Sequence, residues 1–244
     1  MALDPRTSIF GNVGARTGSV STAQVDEGLR AYMLRVYNYM GSGLLLSGII
    51  AYLVFSNEGV FNAIFGSGLG MVVIWSPLVI LLGMSFGFNK LSPMALSTLY
   101  WAFCALNGVS MSALLAIYTG DSVVRVFFIT AVTFGAMSLY GYTTKKDLSG
   151  MGSFLFMGVI GLLIASVVNI FLESSALQWM ISVIGVLVFT GLTAFDTQRI
   201  KNDFLEYRMQ GGLATKTAVM GAVSLYILFV NIFQFLLMLL GNRE

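Results

Sequence analysis

Seven apolar stretches of about 20 residues follow one another along this chain, and they constrain its fold more than any other feature. A helix of about 20 apolar residues crosses the ~30 Å hydrocarbon core of a bilayer. The composition agrees, because only 10% of the 244 residues are charged, against about 25% in soluble domains. The pattern predicts an all-α membrane protein with transmembrane helices over residues 36–55, 69–88, 94–118, 122–142, 152–172, 177–196 and 217–240.

The boundary between the third and fourth spans is the least marked, since only Gly120 and Asp121 interrupt the apolar run. A single helix over residues 94–142 would be far too long for a bilayer to accommodate by tilt. We therefore expect a tight interfacial turn at residues 119–121.

Missing residue types exclude several classes of site. The chain has no histidine and only Cys104, which excludes His-ligated metals, Ser-His triads, intramolecular disulfides and cysteine metal clusters. The net charge of +2 gives no sign of nucleic-acid binding. The 27 glycines favour helices with close contacts, for example at Gly41, Gly158 and Gly185. We expect no cofactor and no enzymatic activity.

Basic residues are distributed unequally between the two sides of the predicted bundle. The N-terminal segment and the second, fourth and sixth loops carry 11 Lys and Arg, whereas the opposite side has only Arg125 and Arg243. The positive-inside rule therefore predicts a cytoplasmic N-terminus and an external C-terminus. Tyr118 and Trp179 are expected in the outer aromatic belt.

Two segments outside the spans have their own composition. Residues 1–30 are polar and lack apolar periodicity, so we predict a mostly disordered cytoplasmic tail that becomes helical near Ala23, followed by a membrane domain over residues 31–244. In the sixth loop, Ile200, Phe204 and Tyr207 recur at helical spacing. This predicts that the sixth span continues as an amphipathic helix that ends near Gly211.

Asp196 is the ionisable residue that lies deepest in a predicted span. It follows the interfacial Trp179 by 17 residues, which places it about 26 Å along the helix, near the inner edge of the hydrocarbon. One interpretation is a solvated helix end, like the neighbouring Arg199. The other is a buried, proton-sensing carboxylate that faces the bundle interior.

The seventh span carries a small and polar stripe at Gly221, Ser224, Leu228 and Asn231, which share one helix face. Such a stripe belongs inside a bundle, either for helix–helix hydrogen bonding or as part of an ion pathway with Asp196. Two other seven-helix chemistries are excluded. An aspartyl protease needs an acid on the seventh span and a retinal protein needs a lysine within it, and residues 217–240 contain neither.

Several motifs occur in the order found in a known family. They are YGYTTKKDLS at residues 140–149, NIF at 169–171, FDTQRIK at 195–201, SLY at 224–226 and NIF at 231–233. Over residues 25–240 the chain resembles the Bax inhibitor-1 family, and its bacterial branch most. The resemblance implies a bacterial inner-membrane location with a periplasmic C-terminus, and a seventh helix central to a bundle of the other six.

The resemblance also implies a pH-sensitive calcium leak controlled by two aspartates that share a proton. Asp196 matches the first aspartate, whereas Leu228 occupies the position of the second. We therefore expect a cation leak with weakened pH control, in which Asp196, Ser224 and Asn231 form the pathway and Asp196 binds calcium weakly. The expected partners are calcium or other cations and the lipid bilayer. The alternative function is regulation of a membrane-anchored AAA protease, as in some bacterial relatives, through the cytoplasmic tail.

Overall fold

The computed structural model describes residues 22–207 and 211–243 and consists almost entirely of helices. Seven of the eight described helices are long and apolar enough to span a membrane, as predicted. The helices are α1 (Thr22–Ser56), α2 (Glu58–Phe65), α3 (Leu69–Gly87), α4 (Pro93–Leu115), α5 (Gly120–Thr143), α6 (Ser149–Leu172), α7 (Ser175–Tyr207) and α8 (Gly211–Leu240).

The last helix is the core of the bundle. α8 packs against α1, α4, α5 and α7. More than half of its most apolar 18 residues are buried, against about a tenth for α6, whose apolar surface faces outward. Its small residues Ala218 and Ala222 are fully buried and let neighbouring helices approach closely. The expected central seventh span is confirmed.

The predicted turn between the third and fourth spans is also confirmed. α4 ends at Leu115 and α5 begins at Gly120. The chain's C-terminal end is fastened to this turn, because the Thr119 amide donates to the Asn242 carbonyl at 3.0 Å. Tyr118, which was expected in the outer aromatic belt, is 4% exposed and its ring centroid lies 5.8 Å from the Arg243 guanidinium, so its side chain packs inside the bundle. Trp179, at 61% exposed, faces outward.

One short helix was not predicted, whereas the start of α1 agrees with the prediction. The short α2 between the first two spans was not predicted, although Asn57 caps it by accepting a hydrogen bond from the Val60 amide at 3.1 Å. α1 begins at Thr22, which agrees with the prediction that the tail becomes helical near Ala23. The rest of that predicted tail, residues 1–21, lies outside the described residues.

The helix that carries Asp196 extends beyond the membrane span, as its periodicity predicted. α7 continues to Tyr207, and its buried Ile200 and half-buried Phe204 face the bundle. The described part of α7 ends at Tyr207 and α8 begins at Gly211, so the helix ends close to the predicted position, and residues 208–210 lie outside the described ones.

A glycine brings α5 against α7 two residues from Asp196. A Cβ at Gly141 would lie 2.1 Å from the Ala194 carbonyl oxygen, closer than any side chain can fit. The two backbones therefore touch, and this contact fixes the level of Asp196 in the bundle.

Candidate functional site: a buried carboxylate between α7 and α8

Asp196 is a buried residue rather than a solvated helix end. Its exposed fraction is 4%, and the neighbouring Ala194 and Thr197 are fully buried. The helix that carries it packs against α5, α6 and α8. Because a buried carboxylate needs partners in place of water, its contacts define the site.

The first partner of Asp196 is an arginine one turn along the same helix. Arg199 Nη2 lies 2.7 Å from Asp196 Oδ1, at i,i+3 spacing. The arginine side chain is 44% exposed, so the guanidinium that pairs with the buried carboxylate is itself in contact with solvent. The Arg199–Asp196 pair is the only ion pair within 4 Å among the side chains that the structure describes.

The second partner comes from α8. The Ser224 hydroxyl donates a hydrogen bond to Asp196 Oδ2, and Arg199 Nη2 donates to Ser224 Oγ at 3.4 Å. The three side chains form a closed triangle that links α7 to α8. Each carboxylate oxygen has one donor, which is the arrangement that stabilises an ionised carboxylate away from water.

Two cavities meet at this triangle. The first, which we call the α3 cavity, has a volume of about 510 Å³ and lies between α3, α7 and α8. Its polar lining residues extend towards the end of the bundle where α7 ends, and they are Ser85, Asn89, Arg199, Asp203, Thr217 and Ser224.

The second cavity, which we call the α6 cavity, has a volume of about 210 Å³ and lies between α6, α7 and α8. Asp196 and Ser224 line it at one end. Its other walls are apolar, and they are Phe156, Val159, Phe189, Leu192, Ile227 and Leu228. The triangle thus separates a polar cavity from an apolar one.

The structure brings three of the four predicted site residues together. Leu228 is buried at 7% exposure and lines the α6 cavity with Asp196 and Ser224, so the position matched to a second acid does face the first. Asn231 is not hydrogen-bonded to them. Its amide nitrogen donates instead to the Ile227 carbonyl of its own helix at 2.8 Å.

Two charged residues of the site were missed by the sequence interpretation. Arg199 was assigned to solvent, although its i,i+3 spacing from Asp196 is the ordinary signal for an ion pair on a helix. Asp203, one further turn along α7, lines the α3 cavity. Among the described residues no three Asp, Glu or Cys side chains form a group suited to a metal ion.

Comparison with known proteins decides the family. The model of the family described as "Inhibitor of apoptosis-promoting Bax1" matches residues 29–244, which is nearly the whole described chain. The chain belongs to the Bax inhibitor-1 family. The resemblance predicted from the motifs is therefore confirmed.

Bacterial relatives of this Bax inhibitor-1 family member align with it over almost their full length. A protein of Rickettsia prowazekii is 47% identical over 221 residues, which cover 90% of this chain and 92% of the relative. A Caulobacter vibrioides protein is 48% identical, with the same coverage. The inner membrane protein YbhL of Escherichia coli is 42% identical over 93% of this chain and 97% of its own length.

Proposed function

We propose that this chain is a passive cation leak channel of the Bax inhibitor-1 type, with calcium as the cation and Asp196 as the acidic element of the pathway. The observation that carries the proposal is the position of Asp196, which lies where the polar α3 cavity meets the apolar α6 cavity. A buried carboxylate between two cavities of a membrane bundle is the usual mark of an ion path.

The α3 cavity is lined by one acidic and one basic residue, Asp203 and Arg199, so on this proposal it favours a cation once Arg199 has turned away. Asp203 lines the cavity, and Asp196 lies behind Ser224 at its inner end. Acidic groups in a cleft with low-dielectric walls raise the local concentration of cations. A cation that reaches Asp196 meets one carboxylate and the Ser224 hydroxyl, which is a loose site compared with the six to eight oxygens of a tight calcium site. Loose binding is what conduction requires.

The conformation described here corresponds to a closed pathway. The Arg199 guanidinium already neutralises Asp196, and the α6 cavity beyond it is lined by aromatic and aliphatic side chains. Apolar constrictions block ions because they do not hold water. Opening on this proposal requires Arg199 to leave Asp196 and the α6 cavity to widen.

Calcium flux into proteoliposomes tests the proposal. Wild type should exceed protein-free vesicles, Asp196→Asn should reduce the flux, and Arg199→Gln should increase it because the competing cation is removed. Arg125→Gln, far from the site near the opposite end of the bundle, is the matched control and should match wild type. A calcium flux equal to that of empty vesicles from pH 6 to 8 for all four proteins would refute the proposal.

The proposal includes an orientation in the bacterial inner membrane, the location named for YbhL. The excess of basic residues, 11 against 2, supports an N-terminus in the cytoplasm and a C-terminus in the periplasm. The α3 cavity then opens towards the cytoplasm.

The alternative function is regulation of a membrane-anchored AAA protease, which would bind the predicted cytoplasmic tail. Residues 1–21 of that tail lie outside the described residues. Purification from native membranes separates the two functions. A stoichiometric protease partner together with no calcium flux would favour the alternative. Flux without a protease partner would favour the channel.

A further inference from the structure

An apolar cavity lies between α1 and α5, away from the Asp196 triangle. It has a volume of about 540 Å³. Leu34 and Leu139 on its rim are 52% and 63% exposed, so the cavity opens on the outer surface of the bundle, where lipid would lie. We call it the lateral groove, and its walls include Met33, Leu34 and Gly41 of α1 and Phe134, Gly135 and Leu139 of α5.

Two glycines keep the lateral groove open. A Cβ at Gly41 or at Gly135 would meet nothing within 4 Å. Gly41 was predicted to lie in a close helix contact, and this prediction is wrong because no described neighbouring atom lies within 4 Å of its Cβ position. At the floor of the groove the Tyr37 and Ser138 hydroxyls form a 2.6 Å hydrogen bond that bridges α1 and α5.

The floor of the lateral groove is suited to a hydrocarbon chain. The hydroxyls of Tyr37 and Ser138 are both used, since Ser138 also lies 3.0 Å from the Thr197 hydroxyl. Paired hydroxyls do not demand water, so an apolar chain can cover them without leaving a polar group unsatisfied.

One end of the lateral groove is basic. Arg30 and Tyr142 line this end, and the Lys201 ammonium lies 5.3 Å from the Tyr142 ring centroid. Two cationic side chains lie at this end, because Arg30 lines the groove and Lys201 Nζ donates a hydrogen bond to the Tyr142 carbonyl at 2.9 Å. Asp26 and Glu27 lie one turn before Arg30 on α1 and do not line the groove.

The length of the lateral groove matches one leaflet of a bilayer. From Arg30 to Gly41, α1 rises about 16 Å, which is about half of a ~30 Å hydrocarbon core. Arg30 lies about 37 Å along α1 from Phe55, at the opposite end of the span, so it reaches the headgroup layer while Gly41 stays within hydrocarbon.

We propose that the lateral groove binds one anionic phospholipid, with an acyl chain along Gly41 and Gly135 and the phosphate held by Arg30 and Lys201. Basic openings between transmembrane helices at an interface bind such headgroups. The charge at one end and the apolar, leaflet-long walls select a lipid rather than a soluble anion. The site lies outside the proposed ion pathway and does not require the chain to conduct ions.

Native mass spectrometry of the full-length protein in detergent tests the charge recognition. Phosphatidylglycerol should be retained in preference to phosphatidylcholine with the same acyl chains. Arg30→Gln should lower phosphatidylglycerol retention about fivefold. Arg35→Gln, an exposed arginine one turn away that faces Trp101, should leave it unchanged. Equal retention of the two lipids, or equal losses in the two variants, would overturn the proposal.

A filling variant tests the groove itself. Gly135→Leu should abolish lipid retention because its side chain occupies the groove, and it should fold because it has open space. Gly161→Leu on α6 is the matched control, since Gly161 also faces open space but lines none of the cavities described here. Unchanged retention in Gly135→Leu would contradict the proposal.

A photo-crosslinking residue at Leu139 identifies the occupant. An adduct with the mass of phosphatidylglycerol supports the proposal. A crosslink to the chain's own N-terminal segment, or to a second copy of the chain, would overturn it, because either would mean that protein covers the groove.

Discussion

Removing Arg199 should destabilise the protein more than removing the carboxylate that it neutralises. Asp196 is 4% exposed, whereas the Arg199 side chain is 44% exposed. Arg199→Gln leaves a buried carboxylate with Ser224 as its one remaining donor. Asp196→Asn leaves a guanidinium that can turn to water. The same ion pair is lost in both variants, but only the first strands a charge in the interior.

The magnitude follows from the geometry. Unit charges about 4 Å apart interact by about 4 kcal/mol at an effective dielectric constant of about 20. Because Arg199 is nearly half exposed, solvent screening reduces the coupling to about 1–2 kcal/mol. We therefore expect Asp196→Asn to lower the free energy of unfolding by about 1 kcal/mol and Arg199→Gln by about 2–3 kcal/mol, which includes the unpaired carboxylate.

A double-mutant cycle measured by reversible unfolding of the purified protein in detergent provides the assay. Wild type, Asp196→Asn, Arg199→Gln and the double variant give the coupling energy directly. Arg199→Lys is the matched control, since it keeps the charge but not the planar fork, and should cost less than Arg199→Gln. If Asp196→Asn costs as much as Arg199→Gln, or if the two changes are additive, the reasoning about the buried carboxylate is refuted.

Three further predictions concern the pathway, the packing and the topology. A single carboxylate should give a shallow dependence of the leak on pH. Leu228→Asp should make the pH dependence of the flux into proteoliposomes steeper, because two acids in one cavity titrate as a coupled pair. An unchanged pH dependence in this variant would exclude the coupling. Gly141→Ala should lower the free energy of unfolding by about 1–3 kcal/mol through overpacking against α7, whereas Gly135→Ala on the same helix should be tolerated. Cysteines introduced at Phe10 and Asn242 should react from opposite sides with an impermeant thiol reagent, and reaction from one side alone would contradict the seven-span topology.

The spans were predictable because membrane crossing is a local property of the sequence. About 20 apolar residues in a row identify a helix of bilayer length without knowledge of its neighbours, and each predicted span is found in one of the long helices. The eight-residue α2 lacks such a signal, since it is far too short to span, and only the capping residue Asn57 marks its start. Segments without a length constraint were therefore the ones missed.

The surroundings of single residues were harder to predict, because they depend on which way a helix face points. The depth of Asp196 follows from its distance to Trp179, but depth alone left burial and solvation open. Gly41 and Gly141 look alike in sequence, yet one faces open space and the other touches the backbone of α7. Only the arrangement of neighbouring helices distinguishes a groove from a close contact.

The Arg199 contact shows which charge balances the buried Asp196 in this chain, where the second aspartate is absent. In the closed pair that the resemblance implies, a shared proton removes the excess negative charge. Here Leu228 provides no second carboxylate, and the compensating positive charge at Asp196 comes from Arg199. A proton leaves as pH rises, whereas a guanidinium stays charged at every physiological pH. The charge of Asp196 in this chain is therefore balanced by a residue of its own helix and not by a proton from solution. This is the physical reason to expect a weaker response of the proposed leak to pH.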